Sequence, residues 1–311
     1  MTPTPYDFTR GLDHASIVAT SEHVAWTVGE VFDDRSFDTS RPMVPTSWVG
    51  TTHLEFLAER EQLILNHCRA FSYVHLLGNY EEFIPIHLTA VVQRDWHGDR
   101  AHLRSLLRFG EEEMKHQQLF HEAETALERA VGHSFDRYFD PGKVRVTEFT
   151  RASLAHAPFV RFLLLLAFEW GTQRHYVDTI RDRADGVGDA LYADVLKAHW
   201  VEEAQHVKSD TLEVARLAAE MTRAELDAAF DQLAGLGQLI DATVAGQAAA
   251  EMETFQRVTG RALSSEDATR LRQTLYESLA TIIIGVSLSH PNFRRIARDL
   301  SPEGAARLLG A

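Results

Sequence analysis

Cysteine is nearly missing: Cys68 is the single one in 311 residues. A lone thiol excludes an intramolecular disulfide, a thiolate zinc site and a cysteine-ligated iron–sulfur cluster. Positive charge is also scarce, with 31 Lys and Arg against 45 Asp and Glu and a net charge of -14. That sign is wrong for a protein that must displace counterions from phosphate, so no nucleic-acid partner is expected. With 9 Pro and 18 Gly, the chain has too few for a fibrous or low-complexity protein. Long apolar runs are absent too. The richest, Phe159 to Trp170 (FVRFLLLLAFEW), is interrupted by Arg161 and Glu169, and it falls well short of the roughly 20 residues that span a bilayer. The start, MTPTPYDFTR, is polar and lacks the apolar segment of a secretory leader. A cytoplasmic protein with no membrane partner is expected.

What is abundant points one way. The chain is 45% hydrophobic, enough for a sizeable core, and it carries 16 His beside its acidic surplus. Any bound metal must be held by imidazole and carboxylate.

Helical periodicity recurs along the chain, and strand signals are nearly lacking. The pattern predicts a first helix at about 14–32, an irregular stretch at 33–50 around Pro42 and Pro45, and a long helix from 52 or 59 to 93, kinked at Pro85. After a turn at Asp95 to Gly98 comes a helix at 99–131, then a crossover at 132–157 carrying Pro141-Gly142. Helices at 158–184 and 189–221 flank a turn at Gly186 and Gly188. Thr222-x-x-Glu225 reads as a capping box opening a helix to about 258, and Ser264 or Ser265 opens another to about 288, before Pro291. Two long hairpins joined by one crossover predict an all-α, ferritin-like four-helix bundle with additional N- and C-terminal helices. The reading is a single domain over 1–311, with its core at about 55–221 and extra packing helices at 14–32 and 222–311.

Glu-x-x-His occurs twice in the sequence: Glu113-Met-Lys-His116 and Glu203-Ala-Gln-His206. At this spacing carboxylate and imidazole share one helix face, a turn apart, so both can reach the same metal. One such pair carries little weight, but these two fall on the second helices of successive hairpins. A dinuclear carboxylate site then needs one Glu from each first helix at the same depth. Glu169 and Glu203 are equidistant from Gly186, so they meet level with one another. Glu169 also sits in the most apolar run, where an unpaired carboxylate is costly. On the first hairpin the matching depth falls near Glu81 and Glu82. That helix is apolar nearly all round, so phase does not separate them; Glu82 is preferred, with Glu81 in reserve. His199, one turn before Glu203, completes His-x-x-x-Glu-x-x-His on one face. The expected ligand set is Glu82, Glu113, His116, Glu169, His199, Glu203 and His206. Four carboxylates neutralise two divalent ions, and mixed oxygen and nitrogen donors suit iron or manganese. Glu111 and Glu112 are expected at the surface. His175, Tyr176, Trp170 and Trp200 are expected as packing residues.

These motifs resemble the ferritin-like non-haem di-iron oxygenases, and within them the p-aminobenzoate N-oxygenase (arylamine oxygenase) family, which shows two Glu-x-x-His motifs and a third His upstream of the second. Here His199 stands in that place. The likeness covers roughly residues 55–215. It extends to Glu169-Trp-Gly-Thr-Gln-Arg-His-Tyr and His199-Trp-Val-Glu-Glu-Ala-Gln-His206, segments also similar to other bundle proteins. The resemblance implies an O2-dependent enzyme with two Fe ions (Mn or mixed Mn/Fe as alternatives). Its substrate would be a small molecule, such as an amine taken to a hydroxylamine or nitro compound. Hydroxylation or desaturation is the alternative within this class. Ferroxidase, metal storage or peroxide detoxification is the alternative outside it, and a plain helical interaction protein leaves Glu169 unexplained. The chain has no flavin or nicotinamide fingerprint, so electrons are expected from an external donor, a ferredoxin or reductase. A homodimer is left open.

Overall fold

The computed structural model describes residues 6–140, 147–181 and 188–310. All regular structure among them is helical. The expected features at Pro141-Gly142 and Gly186 lie outside the described residues.

The first helical stretch is two helices. α1 (His14–Val24) is capped by Asp13, and α2 (Val28–Phe32) starts afresh from a capping box of Thr27 and Glu30. That box ends the single helix expected at 14–32. Residues 33–58 hold only single 3₁₀ turns, at Thr46–Trp48 and Thr51–His53. They are nonetheless tied to the core. Asn66 accepts from the Met43 and Val44 amides at 2.8 and 3.2 Å and donates to the Val44 carbonyl at 2.8 Å.

α3 (Glu59–Glu81) is buried on nearly every face from Leu65 onward. It breaks at Glu82 and Phe83, and α4 (Ile84–Arg94) resumes with Pro85 in its first turn, where a missing amide hydrogen is harmless. α5 (Arg100–Val131) is capped by Asp99 and ends on Gly132, whose φ of 77° suits a glycine. The short α6 (Glu148–Leu154) lies in the crossover. α7 (Pro158–Tyr176) opens on its proline and passes into a π-helical turn, Val177–Arg181. α8 (Ala190–Ala218) is capped by Asp189, whose other oxygen accepts from the Asp38 amide at 2.9 Å. The expected Thr222–Glu225 box opens α9 (Arg223–Thr259), and Ser264 caps α10 (Ser265–Ala280). A second π turn, Thr281–Gly285, leads into α11 (Val286–Ser289), followed by α12 (Pro291–Leu300) and α13 (Pro302–Leu309).

Four helices surround one interior. α3 runs antiparallel to α5, with His75 on Glu124 and Gly78 against Phe120. α7 runs antiparallel to α8, with Gln173 donating to the Trp200 carbonyl at 2.9 Å. α5 and α8 cross-link antiparallel through Ser105 and Ser209, whose hydroxyls lie 3.0 Å apart. α1 packs on α5 and α8, while α9 packs on α3 and α7. No described helix is long and apolar enough to cross a membrane.

One buried ion pair fastens α3 to the C-terminal helices. Arg69 donates to Glu251 on α9 at 2.9 Å and to the Leu275 carbonyl on α10 at 2.7 Å, and neither charged side chain is exposed. Removing one partner strands the other charge in the core, a loss of about 3–5 kcal/mol. Glu251→Ala is therefore expected to lower the urea midpoint sharply. The double variant Arg69→Met/Glu251→Leu is expected to recover most of the loss, because both charges leave together. Equal midpoints for Glu251→Ala and wild type would contradict this.

Candidate metal centre

The centre of the bundle is built from ionisable side chains. Glu81 (α3), Glu113 and His116 (α5), Glu169 (α7), and His199, Glu203 and His206 (α8) are all buried. Their donor atoms form two overlapping tetrads, Glu81–His116–His199–Glu203 and Glu113–His116–Glu203–His206, each with its atoms within 4.8 Å of one another. His116 and Glu203 belong to both. In the first tetrad His199 Nε2 lies 3.0 Å from both Glu81 Oε1 and Glu203 Oε1. In the second, His206 Nδ1 lies 2.8 Å from Glu113 Oε1 and 3.3 Å from Glu203 Oε1. His116 Nδ1 lies 3.1 Å from Glu203 Oε1.

The preference for Glu82 is corrected. Glu82 is turned away, accepting from the hydroxyls of Thr150 at 2.7 Å and Thr147 at 3.1 Å, beside the N-terminus of α6. Glu81, the reserve, points into the cluster. Both residues sit where α3 ends, and the difference depends on α6, whose sequence carries no chemical motif. Glu169 lines the same cleft as Glu203 but lies outside both tetrads, with a buried and unpartnered Oε2.

Glu112 is also corrected: it is 1% exposed, whereas Glu111 is exposed as expected. Each Glu-x-x-His motif is preceded by a second glutamate, and these two brace the imidazole of the opposite helix. Glu202 on α8 lies 3.0 Å from His116 Nε2, and Glu112 on α5 lies 3.0 Å from His206 Nε2. Each has its own cation. Lys115 donates to Glu202 at 2.5 Å, and Arg108 reaches Glu112 at 3.1 Å, with Ser21 of α1 donating to the same carboxylate at 2.5 Å. The doubled Glu-Glu-x-x-His was present in both motifs and was the available signal. With Nε2 held this way, Nδ1 of each ring turns inward, the arrangement by which outer carboxylates orient ligand histidines.

One inner pair is hydrogen-bonded, His199 Nε2 with Glu81 Oε1 at 3.0 Å. Glu81 Oε2, both Glu113 oxygens, His116 Nδ1, Glu203 Oε1 and His206 Nδ1 are buried and unpartnered; their close approaches lack hydrogen-bond alignment. Electrostatics reflect the crowding. Burial and the neighbouring Glu113 push Glu81 well above the usual carboxylate range. Burial alone would depress His116 and His206, but the surrounding glutamates outweigh it and raise both well above an ordinary imidazole. Burial also acts against ionised Glu203, yet His206 and His116 hold it below its usual value. His199 is driven well below by burial and by the other two imidazoles.

A narrow cleft with about 30 Å³ of free space adjoins the cluster. Glu81, Glu169 and Glu203 form its polar side, facing Tyr73, Tyr80, Leu165, Phe168 and Ile283, the last from the second π turn. Gly171 admits the close approach of α11 here, since a Cβ would come within 2.1 Å of Ser287 Oγ. The packing residues behave as expected. His175 pairs with the Tyr73 hydroxyl at 2.8 Å, Trp170 stacks on His290, and Tyr176 stacks on Trp200.

Comparison of the chain with protein-family models and with curated proteins finds no match.

A metal would have to displace the protons that the raised Glu81, His116 and His206 hold in the metal-free protein. Binding of Zn(II) to the stripped chain is therefore expected to release protons and to tighten as pH rises from about 6 to 8. Titration calorimetry in buffers of different ionisation enthalpy measures this. A binding enthalpy independent of buffer would contradict it.

Proposed function

We propose that the chain is an O2-dependent, dinuclear non-haem oxygenase or oxidase on a ferritin-like bundle, acting on a small organic substrate in the pocket beside the cluster. The observation that carries this reading is the set of inward-facing donor atoms without partners. Native interiors leave only a few buried polar groups unsatisfied per hundred residues, and several facing one another at one point call for cations. Glu81, Glu113, Glu169 and Glu203 match the charge of two divalent ions, and three imidazoles with carboxylates suit iron, or manganese in its place. The likeness of the motifs and His199 to arylamine N-oxygenases supports the same assignment.

Bound iron would supply the reduction of O2 and the oxidation of substrate. The chain's own residues set the conditions. Glu202 and Glu112 hold the Nε2 protons of His116 and His206, leaving Nδ1 as the donor and making it more basic. Glu203, the carboxylate common to both tetrads, would help hold both ions. Glu169 stands where the cluster meets the pocket. Apolar walls exclude water from the reacting centre. Among the described residues no Lys, Arg or His lines the pocket, and the ionisable carboxylates there are the glutamates Glu81, Glu169 and Glu203. An uncharged substrate fits best: a neutral aromatic amine for N-oxygenation, or a hydrocarbon group for hydroxylation or desaturation. Electrons would come from a separate ferredoxin or reductase.

The test is anaerobic loading with Fe(II), metal analysis, and exposure to O2. Wild type is expected to hold about two more irons per chain than Glu203→Ala. Glu81→Gln is expected to lose iron that Glu82→Gln retains. Wild type alone is expected to show a visible absorption that rises and decays with O2. Equal iron in wild type and Glu203→Ala would overturn the reading.

A further inference from the structure

At the end of the bundle where α1 crosses α5 and α8, a separate group of donors converges. His14 is the first residue of α1, His102 lies in the first turn of α5, and Glu213 lies near the end of α8. Their exposures are 3%, 5% and 0%. One donor atom from each lies within 4.8 Å of the other two. The imidazole centroids are 4.9 Å apart, and His102 Nε2 is 2.6 Å from Glu213 Oε1, without hydrogen-bond alignment. The far oxygen of Glu213 is fixed by Arg216, which donates at 2.6 Å and also approaches Asp95 at 3.4 Å. His14 Nδ1 is buried and has no partner.

An ion pair between His102 and Glu213 would account for two of these residues. It explains neither the third donor nor its unpartnered nitrogen, and it does not explain why three helices bring them to one point. Two imidazoles and one carboxylate are a ligand set for a borderline divalent ion, with a further position left for water. Arg216 then acts as the outer partner that orients the carboxylate. We propose that His14, His102 and Glu213 form a second, mononuclear site for a first-row divalent cation of the zinc or cobalt type. It shares no residue with the central cluster. Glu213 lies two helical turns beyond His206 on α8, about 10 Å along the axis. The ion would pin α1 to the α5–α8 pair, and α1 also carries Ser21, the donor to Glu112. This site does not depend on the oxygenase reading.

The test uses the full-length, metal-stripped chain carrying His116→Ala and Glu203→Gln, which removes the two donors common to both central tetrads, with Co(II) as the probe. About one Co(II) per chain should still bind, with visible ligand-field absorption of nitrogen and oxygen coordination. Adding His14→Ala or His102→Ala should weaken it by more than the roughly 10- to 100-fold that loss of an outer partner brings. Circular dichroism reports folding; should the His102 variant unfold, His14→Ala, on the outer helix, decides alone. In the wild-type background the same substitution should remove about one Co(II) per chain, so the result does not hang on the central variant. No bound Co(II) in a folded central variant, or binding unchanged by both substitutions, overturns the proposal.

Discussion

Ionised groups are expensive to bury, and the middle of this bundle buries many. An ion taken out of water without compensation costs several kcal/mol even after the protein relaxes. The fold deals with this in two layers. Glu112 and Glu202 are each matched by a cation on α5, Arg108 and Lys115, and by an imidazole on the facing helix. Inside that ring, the oxygens of Glu113 and the Nδ1 atoms of His116 and His206 face one another without hydrogen bonds. The outer layer is self-sufficient and the inner one is not. That imbalance is what the proposed pair of cations would resolve, with the facing donors drawn from α3, α5 and α8.

The two flanks of the cluster differ in kind. Toward α3, α7 and the second π turn lies a largely apolar cleft lined by Phe168 and Ile283 among others. π turns frequently mark functional sites, and this one supplies part of the pocket wall. Toward α1, the neighbours are polar: Ser21 on Glu112, then the His14–His102–Glu213 group farther along. Between them lies Asp210, fully buried with neither oxygen partnered, its carboxyl raised well above the usual range chiefly by burial. One flank is largely apolar and the other is lined by polar and ionisable groups.

Much of this was legible in the sequence because it depends on local spacing. An i, i+3 pair on a helix fixes a shared face whatever the tertiary contacts, so Glu113, His116, Glu203 and His206 converge as expected. Glu169 stood out because a carboxylate in an apolar run needs a reason, and it lines the same cleft as Glu81 and Glu203, outside the tetrads. The helix starts at Thr222 and Ser264 followed from capping chemistry. What failed was decided by distant partners. Glu81 and Glu82 were separable only through Thr147 and Thr150, far along the chain. Glu112 looked like one acid in a charged run, although the same doublet precedes His206. The site at His14 could not be read at all, since its three residues sit on three helices with no motif among them.

The most direct check on the central claim is anomalous diffraction at the iron edge from crystals of the Fe-loaded chain. The account predicts two peaks about 3.5–4 Å apart, bounded by Glu81, Glu113, His116, His199, Glu203 and His206, with Glu82 outside their reach. A map with no peak among these residues, or with a single ion there at full iron loading, would contradict it.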